Sequence, residues 1–154
     1  MSGFDEVASA FIQHYYATSD SNPAALQSLY QPQSTLTFEG AQVQGPEAIV
    51  QKLMVRCIVF AFARFGRGKP SLLTIPTLFP PPTQSTGGVT HNIAGLTKDV
   101  QASPGGQAML IFVQGQLVIA GQSNPLNFSQ VFQLVATGPG QFYIHNEFFR
   151  LIYN

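Results

Sequence analysis

The sequence predicts an α+β domain in which helices pack on one face of a curved antiparallel sheet. Three observations predict it. Amphipathic helical periods are confined to the first third of the chain, long Val-, Ile-, Phe- and Tyr-rich runs fill the last third, and short Gly- and Pro-containing turns separate those runs. With 154 residues, 45% of them apolar and only 9% charged, the chain can bury one real core but is too short for two ordinary domains.

Phe4, Val7, Phe11 and Tyr15, with Ala8, Ile12 and Tyr16 on the adjoining stripe, recur at the 3.6-residue period and predict a helix over Phe4 to Thr18. Ser2 or an extended Gly3 caps it, and Asp5 and Glu6 sit where the positive end of the helix dipole favours carboxylates. Pro23 suits a first helical position, so Ala24 to Tyr30 reads as a short second helix burying Leu26, Leu29 and Tyr30. From Ser34 to Glu39 the order alternates polar and apolar, as a half-buried strand does, and Gly40 closes it. Gly45-Pro46-Glu47 opens a third helix with the stripe Ile49, Val50, Leu53. His91 to Asp99 supplies a strand, and Gln107 to Ile119, Asn127 to Thr137 and Gln141 to Tyr153 make an antiparallel meander.

The stretch Val55 to Gly88 belongs to neither pattern. It is rich in proline and glycine, shows no sustained period, and is long for a loop inside a compact domain. It also hides a division of charge. Arg56, Arg64, Arg67 and Lys69 fall inside it with no acid, whereas Lys52, Lys98 and Arg150 face seven carboxylates elsewhere, so a net charge of zero resolves into +4 and −4. An acidic scaffold fits a basic protein partner and argues against nucleic acid, whose phosphates require a basic face. The single cysteine, Cys57, allows no intrachain disulfide and no cysteine-based metal site. No signal peptide or membrane span is evident, so a reducing compartment, cytosol or nucleus, is expected.

Five segments carry a family resemblance: AFIQHYY at Ala10 to Tyr16, SLYQPQSTLTFEG at Ser28 to Gly40, QGPEAIVQKL at Gln44 to Leu53, NFSQVFQL at Asn127 to Leu134 and NEFFRLIYN at Asn146 to Asn154. In this order they resemble the nuclear transport factor 2 family, dimeric carriers that take the GDP form of the Ran GTPase into the nucleus. The resemblance implies a cone-like sheet that encloses an apolar cavity against three helices, with a homodimer on the sheet's other face. It implies one domain over residues 1–154, interrupted at about 55–88 by an unremoved intervening sequence or a lineage-specific insertion. Its implied activity is non-enzymatic: binding Ran-GDP and the phenylalanine-glycine repeats of nucleoporins, in cytoplasm, nucleus and nuclear pore, with no cofactor.

The resemblance also assigns residues. Phe38 lines the cavity that receives a Ran phenylalanine, Glu39 pairs with a basic Ran residue, and His91, Gln122 and Asn124 complete that contact. The loop of Gln122 and Asn124 holds neutral amides where the family usually has acids, which weakens steering of a basic partner. Phe4 takes the place of the family aromatic that meets nucleoporin repeats, and Phe148 and Arg150 lie in the dimer interface. By spacing alone, His14, His91 and His145 lie on three elements without a ligand pattern and read as structural, and Glu147 with Arg150 reads as an ion pair or a dimer contact. Two alternatives stay open: a cone-fold small-molecule-binding protein or isomerase/dehydratase, which would need a buried carboxylate or His-Asp pair and has only Glu39, Glu147, His91 and the tyrosines as candidates, and a variant disabled by the insertion.

Overall fold

The structure, a computed structural model, describes residues 2–55, 88–119 and 123–152. The expected insertion lies, apart from Val55 and Gly88, outside the described residues, as does Gln122.

Helix α1 spans Ser2–Ser21, longer at both ends than the expected Phe4 to Thr18, so Ser2 and Gly3 belong to the helix and neither is an extended cap before Phe4. Ala8, Ile12, Tyr15 and Tyr16 are buried along one face, while Glu6, Gln13, His14 and Ala17 face water. The Asn22 amide closes the last turn on the Thr18 carbonyl, and Pro23 follows, which disfavours helical backbone at Asn22. Pro23–Leu29 then forms a 3-10 helix that buries Leu26. The chain passes into β1, Tyr30–Phe38, which begins four residues before the predicted strand.

A two-residue turn, Glu39-Gly40, follows with both residues at positive φ (49° and 84°), the geometry that suits right-twisted hairpin strands. It folds β2, Ala41–Gln44, back on β1 with Phe38 opposite Ala41. This strand was not expected: its one apolar residue, Val43, leaves no alternation to read. Helix α2, Pro46–Met54, starts behind Gly45, whose φ of 91° turns the chain, and buries Ile49, Val50 and Leu53 as predicted.

The strand expected over His91 to Asp99 is two. Strand β3, Val89–His91, is separated from β4, Thr97–Ala102, by a turn over Ile93–Gly95 whose Gly95 amide the Asn92 side chain accepts. The meander strands β5, Ala108–Ile119, β6, Leu126–Gly138, and β7, Gln141–Ile152, lie where the sequence places them. Spatial order is β2-β1-β7-β6-β5-β3, with β4 also on β5, in a curved, unclosed sheet. Among the described residues all pairings are antiparallel except β1 with β7, which run parallel.

One irregularity decides which residues enter the core. Leu134 faces Ile144, yet Gln133 faces Asn146, so His145 is an extra residue in β7. Such a bulge reverses the alternation beyond it. Ile144 points inward, and after the bulge so do Glu147, Phe149 and Leu151, leaving Phe148 and Arg150 outside. The inner face meets α1 and α2 in one core that includes Tyr15, Tyr16, Leu36, Phe38, Leu53, Phe128 and Phe132.

Candidate functional site

The cone interior is not wholly apolar. Glu147, 1% exposed, accepts the hydroxyls of Tyr15 on Oε1 and Tyr30 on Oε2, each at 2.6 Å, and the Gln130 side-chain amide also donates to Oε1. Gln130 in turn accepts the Tyr16 hydroxyl at 2.7 Å. Three donors converging on one carboxylate suit its ionised, acceptor-only form. Burial pushes the Tyr30 phenol well above its ordinary range, and the adjacent Glu147 carboxylate and Tyr15 push it further. The predicted partnership of Glu147 with Arg150 is therefore corrected. Residues three apart on a strand point to opposite faces, and here one faces the core and the other faces water.

A second, part-buried carboxylate holds His91. Asp20, near the end of α1, meets His91 Nδ1 at 2.6 Å through Oδ1 and accepts its backbone amide at 2.8 Å through Oδ2. The imidazole is 3% exposed and packs on Tyr16 and Phe128, with ring centroids 4.7 and 5.3 Å away. At the other end of α1, Asp5 pairs with Lys98 of β4, so a carboxylate contact joins the helix to the sheet near each terminus.

Phe38 is buried and stacks on Phe149, with centroids 4.8 Å apart and planes at 9°, and Phe149 stacks on Phe128. Phe38, Phe149, Tyr15, Leu53, His91 and Gln130 surround a space of about 10 Å³. That is room for about one water, and its lining is mixed rather than apolar. Glu39 follows Phe38 on the rim, and its Oε1 accepts the Leu151 amide, tying the β1–β2 turn to β7. Asn124 lies exposed in the β5–β6 connection. Strand register puts these residues at one end of the sheet: His91 opposite Leu117, Leu117 opposite Leu126, Phe128 opposite Leu151, and Phe38 opposite Phe149.

Phe4 lies at the other end of β5. Its ring covers Gly106 in the β4–β5 turn, where an added Cβ would sit 3.2 Å from it, and it is half-buried. Phe148 is 52% exposed on the outer face, and Arg150 beside it extends its guanidinium over Gly40. His14 is exposed, His145 contacts the Tyr143 hydroxyl at 3.3 Å, and no group of three metal-ligating side chains forms among the described residues. Sequence reasoning names Glu147 and the tyrosines only as candidates for cavity chemistry, and it misses Asp20 and Gln130. A single signal was available, polar groups at Tyr15, Tyr30 and Gln130 on otherwise apolar faces.

The nuclear transport factor 2 domain model matches residues 7–57 and 85–151 and passes over the segment between. The chain belongs to the nuclear transport factor 2 family. It is 40% identical over 149 residues to nuclear transport factor 2B of Arabidopsis thaliana, covering 97% of this chain and 94% of that protein. It is 34% identical to nuclear transport factor 2 of Emericella nidulans, over 100% of this chain and 99% of the other. The solved nuclear transport factor 2 of Cryptosporidium parvum superposes with a TM-score of 0.64 at 33% identity, over 97% and 94% of the two chains. Its function is that of a nuclear transport carrier, with partners in that transport. A carboxylate flanked by phenols is also a set that acid–base catalysis uses, but nuclear transport factor 2 proteins are carriers, and the space beside Tyr15 is the size of a water.

Proposed function

We propose that the protein is a homodimeric, non-enzymatic carrier that binds Ran in its GDP form and nucleoporin phenylalanine-glycine repeats, and moves through the nuclear pore between cytoplasm and nucleus. What carries this reading is the meeting of Phe38, Glu39 and His91 at one end of a scaffold whose described residues hold seven carboxylates against Lys52, Lys98 and Arg150. A net negative surface attracts a basic partner and raises its association rate. Because the space beside Phe38 is far smaller than an aromatic side chain, the contact proposed is with the rim, led by Glu39 and extended by Asn124 and Gln122. The repeats engage Phe4 at the opposite end, so both cargoes fit at once, and Phe148 with Arg150 forms the dimer face.

Titration calorimetry with Ran-GDP and Ran-GTP tests this. Saturable binding of the GDP form alone is expected, and Glu39→Lys should weaken it by about 30-fold or more, the scale of a lost interfacial charge pair. Equal binding of both nucleotide forms, or none of either, overturns it.

A further inference from the structure

The outer face of the sheet carries a pattern that constrains how two copies meet. Asp99, Phe112, Val131 and Phe148 stand in one register row across β4, β5, β6 and β7. Leu110 and Ile152 extend the apolar patch on either side, and both are exposed together with Phe112 and Phe148. Around it stand uncharged side chains, among them Gln114, Ser129, Gln133 and Asn146. Among the described strand residues only two charges lie on this face, Asp99 on β4 and Arg150 on β7. The other two, Lys98 and Glu147, face inward.

A face that meets its own copy around a two-fold axis must be self-complementary: wherever one residue meets another, the reverse contact occurs as well. An apolar row meets itself in many registers. One acid and one base on opposite flanks of the row do not. With the axis running along the strands between β5 and β6, β4 of each protomer lies over the partner's β7. Asp99 is level with Phe148, and Arg150 stands two residues further along the same face, ~7 Å away, within reach of a long side chain.

We propose that Asp99 pairs with the partner's Arg150, twice per dimer, and that this reciprocal pair sets the register of the apolar contact. The proposal rests on the homodimer reading above. Like charges brought together at these positions cost affinity, whereas unlike charges fix the alignment.

The test uses Asp99→Arg and Arg150→Asp chains, alone and mixed, in sedimentation equilibrium beside the wild type. Each variant alone juxtaposes like charges at both contacts and should dimerise at least about tenfold more weakly. Mixed in equal amounts, one chain is basic and the other acidic at both positions, so both pairs re-form and a heterodimer of near wild-type affinity is expected. Variants that self-associate like the wild type, or a mixture that recovers nothing, overturn the pairing while leaving the dimer intact. A wild type that stays monomeric at tens of micromolar overturns the dimer reading itself. Should a charge reversal impair folding by circular dichroism, Asp99→Asn, Arg150→Gln and their double variant replace it: equal weakening by each single change, with no further loss in the double, is expected, and additive losses overturn the pair.

Discussion

Replacing Tyr30 by phenylalanine isolates one bond of the interior network. The ring and its burial are retained, so no cavity forms; what disappears is the hydroxyl that donates to Glu147 Oε2 at 2.6 Å. A hydrogen bond to a charged, buried acceptor contributes about 1.5–3 kcal/mol, and Glu147 keeps Tyr15 and Gln130 as donors, so a loss of about 2 kcal/mol is expected. For a chain of this size that lowers the melting temperature by roughly 4–8 °C. The same residue predicts a pH dependence whose sign follows from its raised pKa. Above about pH 10 the unfolded phenol ionises while the folded one keeps its proton, so the native state binds more protons and its stability falls as pH rises. The phenylalanine chain lacks this contribution, and its deficit relative to the wild type should shrink as pH climbs beyond 10. Urea unfolding by circular dichroism at matched protomer concentration reads the stability, and absorbance near 295 nm reads tyrosinate cleanly because the chain has no tryptophan. A deficit below about 0.5 kcal/mol at neutral pH, or one that widens in alkali, refutes the account of Glu147 as an ionised acceptor held by Tyr30.

Three further outcomes follow from the packing. Phe148→Glu should leave the far-ultraviolet spectrum unchanged, because the side chain is already half exposed, yet abolish dimerisation in light-scattering chromatography. Asp20→Ala removes the acceptor of both the His91 ring and its backbone amide, and should cost about 1–3 kcal/mol and speed hydrogen exchange at His91; unchanged exchange would show that Asp20 does not anchor β3. Gly115→Ala places a methyl 2.3 Å from Leu96 Cδ2 and 3.3 Å from the fully buried Phe128 ring, and thermal melts should report a loss of about 1–3 kcal/mol.

The helices and the long strands were legible because their apolar periods span many residues. Ala8, Ile12, Tyr15 and Tyr16 announce α1 without any tertiary context. Short or polar elements were not: Ala41 to Gln44 forms a strand because the Glu39-Gly40 turn delivers it to β1, and Asn92 breaks a run that reads as continuous. The site failed for a different reason. Counting by twos from Ile144 would put Asn146 and Phe148 inside, and only the extra residue at His145 turns Glu147 inward. Nothing local marks that step, and the donors it meets at Tyr15 and Tyr30 lie more than a hundred positions earlier. Phe148 and Arg150 reached the outer face, where the family resemblance had set them.

The parallel union of β1 with β7 has a consequence for how the molecule is made. Thr37 finds its neighbour Phe148 only after β2 to β6 have been made, more than a hundred residues later. Until then the opening hairpin has no sheet strand to join, and the Tyr15 and Tyr30 hydroxyls lack their Glu147 acceptor. A nascent chain of this kind carries β1 unpaired on that side until β7 emerges, and truncation before Leu151 would forfeit the Glu39 tie and the rung between Ile152 and Asn127 together.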